Sequence, residues 1–242
     1  MSIDVTIVVP AYHESDRIEQ SLKDLAKAIK EYLDPQSTEV IVVSADNADP
    51  TGDLAQGCAP LFEHFSVIRP GARVGKGRDT RLGILAGQGT YRMFMDADMA
   101  TPLHHLEQVV VFMKTGGDMS IGIRPLASIH TGFRKVVSEF GNILVQTLLT
   151  PGISDSQCGF KVFRADVAET IFPRLTILGW GFDMELLTIA RVHKIKIDTM
   201  NIPDWHDPKE DGLTGDSSLK VTIDTGVELL RILGNRLIRR YK

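Results

Sequence analysis

The chain opens on Val5-Thr6-Ile7-Val8-Val9, a β-branched run closed by Pro10. Such a run predicts a strand buried on both faces of a sheet, because polar residues do not alternate with apolar ones. Ile18, Leu22, Leu25, Ile29 and Leu33 follow at steps of three and four residues, the period that gathers side chains on one face of a helix. Ser15 and Asp16 stand just ahead as capping candidates. Short apolar runs at 40–43, 65–68, 91–95 and 119–123 predict further strands, and a helix is expected to open over 81–86. Strands that alternate with helices imply an α/β fold: one Rossmann-like, mostly parallel sheet flanked by helices.

Beyond about residue 124 the alternation stops. Residues 133–149, 183–193 and 219–241 carry helical periodicity, while 160–163 and 195–202 look like strands. No linker rich in proline, glycine or serine divides the chain. The expectation is one domain of two halves, about 1–123 and about 124–242. With 43% apolar residues, 242 residues are enough to bury a substantial core.

Other features narrow the class. No stretch reaches the roughly 20 apolar residues that a spanning helix needs. No basic segment precedes an apolar one at the start, so a soluble or peripheral, cytoplasmic protein is expected. A net charge of -4 argues against a nucleic-acid binder. Cys58 and Cys158 allow one pair and no CxxC, which suits a reducing compartment.

In parallel sheets ligands sit beyond the carboxyl ends of the strands. The polar residues gather there: His13 and Glu14, then Asp46 and Asn47, then Asp96 and Asp98. Asp96-Ala97-Asp98 places two carboxylates around one small residue, suited to a hard divalent cation holding a diphosphate; the same acids also suit the cap of a helix near Pro102. Gly75-Lys76-Gly77, with Arg78 and Arg81 behind it, is either a phosphate-meeting turn or a solvated one. It lacks the spacing of a P-loop.

Taken together, these motifs resemble the inverting family 2 glycosyltransferases of GT-A fold. Val8-Val9-Pro10-Ala11-Tyr12-His13-Glu14 is similar to their opening "VVPAYNE", and residues 75–98 are similar to their "GKG…DAD" core. Asp155-Ser156-Gln157-Cys158-Gly159-Phe160-Lys161 and Gly181-Phe182-Asp183-Met184-Glu185-Leu186 resemble the polyprenyl-phosphate branch, closest to its dolichyl-phosphate glucosyltransferases, with the mannose synthases nearby. The resemblance implies that Pro10, Ala11, Tyr12, Glu14, Asp46, Lys76, Asp96, Ala97 and Asp98 meet a nucleotide-sugar donor. It also implies Mg2+ or Mn2+ on Asp96 and Asp98, and a polyprenyl phosphate acceptor on Arg124, Arg134 and Ser138. Arg134 and Ser138 share a helix face at i, i+4, and an arginine fork with a hydroxyl suits a phosphate.

The family's "DDGSxDxT" becomes Ser44-Ala45-Asp46-Asn47-Ala48-Asp49-Pro50-Thr51, without its two leading aspartates; Asp46 is the nearest replacement. Its "GSKL" becomes Gly215-Asp216-Ser217-Ser218-Leu219, with Lys220 the only nearby lysine. Cys158 reads as a packed thiol. Trp180 either stacks on a sugar or fills the core, and His206 reads as an exposed loop residue. The last helix carries Val227, Leu230, Leu233 and Leu237 with Arg231, Arg236, Arg239, Arg240 and Lys242, a pattern that suits both packing and an anionic membrane surface.

The expected reaction is a single displacement that moves a hexose with inversion from UDP-glucose, or from GDP-mannose. Asp96 and Asp98 act at the leaving group. A hydroxyl acceptor would also need a base, for which Asp183 and Glu185 are the candidates. A homo-oligomer is compatible with the sequence. A soluble sugar, polysaccharide or modified nucleic-acid acceptor, a nucleotide-sugar-binding protein without turnover, and a nucleotidyltransferase are the other readings.

Overall fold

The computed structural model describes residues 2–45, 48–125, 152–206 and 216–242, with side chains of the last helix described from residue 226. The expected Asp46, Arg134, Ser138 and the helix over 133–149 lie outside the described residues. The elements run β1 (Val5–Ala11), α1 (Ile18–Tyr32), β2 (Thr38–Ser44), α2 (Thr51–Gly57), β3 (His64–Ile68), α3 (Lys76–Ala86), β4 (Tyr91–Met95), α4 (Leu106–Thr115) and β5 (Met119–Ile123). Then follow β6 (Phe160–Arg164), α5 (Ala165–Ile171), α6 (Phe182–Val192), β7 (Ile197–Asn201) and α7 (Asp216–Leu237).

The strands form one seven-stranded sheet in the order β3-β2-β1-β4-β6-β5-β7. β1, β2, β3 and β4 are parallel, as are β5 and β7. β6 is antiparallel to both of its neighbours. It enters from the second half of the chain and separates β4 from β5.

The unbroken apolar runs follow from burial on both faces. Val8, Ile41, Val43 and Phe94 pack on one face with Ile84, Phe163, Phe182, Leu186 and Ile232. Ile7, Val9, Val40, Val42 and Met93 pack on the other with Leu22, Leu25, Ile29, Val109 and Val162. At about 25 cal/mol per Å² of apolar surface removed from water, these faces dominate the stability of the sheet.

Three boundaries differ from expectation, each for a local reason. β1 runs through Pro10 to Ala11, since its pairing with β4 ends at Val8 and no ladder bond is asked of the proline nitrogen there. α1 is not capped by Ser15 or Asp16; its first amides, Arg17 and Ile18, donate to the Glu14 carbonyl at 3.0 and 2.8 Å. α3 begins at Lys76, well before 81, because the Arg78 and Asp79 amides donate to the Gly75 carbonyl at 3.1 and 3.3 Å and open the helix there. Among the described residues no helix is long and apolar enough to cross a membrane.

Candidate active site

The loops after β1 and β4 leave the same edge of the sheet side by side. Each holds one non-glycine residue in the left-handed region, His13 at φ 56° and Met99 at φ 54°. Such backbone is held only where its surroundings over-determine it. Behind the first loop, the Glu14 amide donates to Thr51 Oγ1 at 2.9 Å, and Asp49 in turn accepts from the Thr51 hydroxyl and, at 2.9 Å, from its amide. Asp49 and Thr51 thus carry the loop-holding role of the sequence run whose leading aspartates are missing. Tyr12 stacks on His13 at 4.1 Å, with the Arg73 guanidinium 4.2 Å from the Tyr12 ring centroid. Ala11 and Ala97 are buried, and Pro10 is half-buried.

Asp98 accepts from the Ala100 amide at 3.0 Å. Burial, then the Asp96 carboxylate, raises its pKa above the usual aspartate range. Burial likewise raises Glu14; Arg17, 2.9 Å away, opposes this, while Asp98, Asp96 and Asp49 add to it. The three acidic side chains therefore lie close enough for Asp96 to raise the pKa of both Glu14 and Asp98. Lys76, the first residue of α3, answers them with an ion pair to Asp96. Burial alone would lower the Lys76 ammonium, but Asp96 and then Asp183 outweigh it and raise its pKa. Trp180 is 55% exposed, and the Lys76 ammonium lies 5.4 Å from its ring centroid. The aromatic therefore lies at the site rather than in the core.

Asp96 rests on the backbone of Gly159, where an added Cβ would come within 2.0 Å of its carboxylate oxygen. Only glycine allows that approach, which β6 imposes by running next to β4. Below, Lys161 is fully buried and donates to Asp183 Oδ1 at 2.6 Å and to the Cys158 carbonyl at 2.5 Å. Burial raises the Asp183 pKa, with Lys161 and Lys76 opposing. Burial also pushes the Cys158 thiol up to about 11, as expected of a packed thiol.

Arg124, at the end of β5, forms a fork with buried Asp155: Nε to Oδ2 at 2.6 Å and Nη2 to Oδ1 at 2.9 Å. Its guanidinium carbon lies 5.0 Å from the Trp205 ring centroid. Burial opposes ionisation of Asp155, yet the Arg124 hydrogen bonds outweigh it and hold the carboxyl below its ordinary value. On the flank, the His206 amide donates to the Ala100 carbonyl at 3.3 Å. Asp204 accepts from His105 Nε2 at 2.6 Å and lies 3.2 Å from His104 Nε2. Gln108 Nε2 contacts both His105 Nδ1, at 2.6 Å, and the Asn201 carbonyl, at 3.1 Å. One amide donates to both, so the imidazole proton sits on Nε2 and faces Asp204. This bridge ties the segment after Asp98 to the segment carrying Trp205.

Residues 6–172 match the family model described as glycosyl transferase family 2. The chain belongs to that family. This transferase is 32% identical over 211 residues to the human dolichyl-phosphate beta-glucosyltransferase, covering 80% of this chain and 64% of that one. It is 29% identical over 241 residues to a dolichyl-phosphate beta-glucosyltransferase of Trichomonas vaginalis, covering 94% and 72%. The Dictyostelium discoideum enzyme of the same name is 30% identical, covering 81% and 64%. The transferase thus spans about two thirds of these relatives' lengths. Its fold is that of glucosyl-3-phosphoglycerate synthase from Mycobacterium tuberculosis, solved with Mn2+, UDP and phosphoglyceric acid, at TM-score 0.67 and 19% identity over 96% of this chain and 79% of that one. The GT-A architecture is therefore established.

Of the residues expected in the site, the transferase brings together Pro10, Ala11, Tyr12, Glu14, Lys76, Asp96, Ala97, Asp98 and, underneath, Asp183. Glu185 does not join them. It is fully buried and accepts from the Thr176 amide and hydroxyl, the Ile177 amide and the Tyr241 hydroxyl, all at 2.6–2.7 Å. Those bonds make it an anchor for the end of the chain rather than a base. The sequence does not mark Gly159, Lys161, Asp155 and Asp204 as working residues, although the first three lie inside a recognisable motif, because Asp96, Asp183, Arg124 and His105, which they meet, are distant in sequence.

Proposed function

We propose that this transferase moves a hexosyl group from a nucleoside diphosphate sugar, UDP-glucose or GDP-mannose, to a polyprenyl phosphate, with inversion. The carrying observation is the crowded carboxylate group of Glu14, Asp96 and Asp98, faced by Lys76 at the mouths of β1 and β4. The named activity of the relatives supports the acceptor class.

The site's chemistry fits a hard divalent ion. Its side-chain donors are carboxylate oxygens, and the Asp98 pKa is raised first by burial and then by the neighbouring Asp96 carboxylate. Asp96 and Asp98 are the residues to hold Mg2+ or Mn2+, which would stabilise the charge that develops on the departing diphosphate. Lys76 supplies a fixed positive charge to the same phosphates. The loop of Pro10 to Glu14 borders the nucleotide, and Asp46, which follows β2 in the sequence, is proposed to meet it as well.

Arg124, Arg134 and Ser138 are proposed for the acceptor phosphate, with Asp155 fixing the plane of Arg124 in advance. An acceptor phosphate oxygen, already ionised near neutral pH, forms the new bond to the anomeric carbon as the bond to the diphosphate oxygen breaks. The nucleoside diphosphate leaves with that electron pair. A phosphate nucleophile has no proton to lose, so positioning suffices. Asp183, buried against Lys161, is then a support under Lys76 and Asp96 rather than a base.

A bilayer-embedded acceptor calls for a surface that reaches it. The outward face of α7 supports this, since Val227, Leu230, Leu237 and the adjoining Ile238 are 60–83% exposed and run with Arg236, Arg239, Arg240 and Lys242. The deciding test is transfer from labelled UDP-glucose and GDP-mannose to polyprenyl phosphate in detergent. Turnover that survives exhaustive chelation of divalent ions overturns the metal role, and transfer to soluble sugars with none to the lipid overturns the acceptor.

A further inference from the structure

One contact joins the terminal helix directly to the donor side of the site. Glu228 of α7 accepts from the Gly181 amide through Oε2 at 2.8 Å. Glycines at 179 and 181 let it lie close against the backbone. An added Cβ at Gly179 would lie 2.6 Å from Oε1, and one at Gly181 would lie 2.5 Å from Oε2. The carboxylate thus spans both glycines that flank Trp180. Gly181 is also the residue from which α6 starts, so the charge sits favourably at a helix N-terminus. On the far side, the Leu178 carbonyl accepts from the Arg78 amide of α3 at 3.2 Å. The loop is held at both ends, and its exposed indole is presented to Lys76, which pairs with Asp96.

We propose that Glu228 is a positioning residue for the donor site. It fixes the Gly179-Trp180-Gly181 loop so that Trp180 packs on Lys76 and holds that ammonium over Asp96. Val227 and Leu230, its neighbours on the helix, are 60% and 69% exposed. The same turn therefore faces outward with apolar side chains and inward with the carboxylate. A shift of α7 on its outer face is transmitted to the Trp180 loop through this side chain. The link to donor handling rests on the function proposed above; the loop contact does not.

Trp180 and Trp205 are the only tryptophans, so Trp205→Phe leaves Trp180 as the sole reporter. In that background acrylamide quenching of Trp180 should rise about twofold on Glu228→Ala, as expected of a loop freed from a carboxylate tether. Glu228→Gln, which keeps an acceptor oxygen, should stay near the parent. Glu228→Asp keeps the charge but falls one methylene short; it should behave like alanine and serves if alanine does not fold. In the otherwise unaltered enzyme, Glu228→Ala should raise the donor KM about tenfold while leaving the acceptor KM unchanged, the loss expected when a charged hydrogen-bond acceptor that orders a site is removed. Unchanged quenching in both the alanine and aspartate variants overturns the proposal, even if thermal stability falls. Increased quenching in an enzyme that never binds UDP or GDP with Mn2+ upholds Glu228 as the holder of the loop and overturns the donor-site reading instead.

Discussion

Burial and a second aspartate oppose ionisation of Asp98 more than the Ala100 amide, Lys76 and Arg17 favour it. For a carboxyl with a raised folded-state pKa, the ionised form costs stability, and that cost is absent below the unfolded value. Asp98→Asn should therefore raise the melting temperature of the metal-free protein at neutral pH while lowering transfer by more than about a hundredfold, the scale of losing charge stabilisation at a leaving group. Thermal melts beside transfer assays check both signs. Asp155 has the opposite sign. Its depressed pKa contributes stability above the ordinary aspartate value of 3.8 that disappears as pH falls through the lower folded-state value. Arg124→Ala leaves that carboxylate buried without its guanidinium, with the amides of residue 124 and Gln157 still donating to it at 3.2 and 3.1 Å. It should cost about 3–5 kcal/mol in denaturant titrations, most of which the double variant with Asp155→Ala recovers. Loss of activity in Arg124→Ala alone therefore says little about the acceptor until stability has been measured.

At the level of elements, the terminal helix has two ends that do different work. Its C-terminal end is stitched to the core by Asn235 and Tyr241, the former donating to Thr176 Oγ1 at 2.9 Å and the latter to Glu185 at 2.7 Å. Glu185→Gln should lower the melting temperature yet leave the pH dependence of the remaining transfer unshifted; a shifted profile would restore Glu185 as a base. The outward stripe is free to meet a bilayer. Neutralising Arg236, Arg239, Arg240 and Lys242 should cut co-sedimentation with anionic liposomes, each residue contributing on the order of 1 kcal/mol, and salt should release the wild type. Binding indifferent to lipid charge and salt would reduce the helix to a packing element.

For the whole molecule, the site joins the two halves of the chain. β6, from the second half, lies beside β4 and delivers Gly159 under Asp96, and α6 delivers Asp183. A nucleotide with its cation should therefore stabilise the molecule as a unit. At a hundredfold excess over its dissociation constant, UDP or GDP with Mn2+ should add about 2.7 kcal/mol, a shift that Asp98→Asn abolishes in calorimetry.

The β-branched runs at 5–9 and 40–43 and the mostly apolar run at 91–95 are enough to place the parallel strands, because a strand covered on both faces is largely apolar. The same logic points to the ends of those strands, and the sequence alone puts Asp96-Ala97-Asp98 there, where the fold brings Lys76 to it. Resemblance supplied the family. Other features could not be read along the chain, because they depend on residues far apart in sequence meeting at short range. Periodicity within 160–163 does not say that β6 runs antiparallel between β4 and β5, and so cannot say that Gly159 must be glycine. Glu185 and Asp183 lie two residues apart on one helix, and only the helix's rotation against Thr176 and Tyr241 sends the first to an anchor and the second to the site. Glu228 is one acid among many in the sequence. Its role exists only because α7 crosses the two glycines beside Trp180.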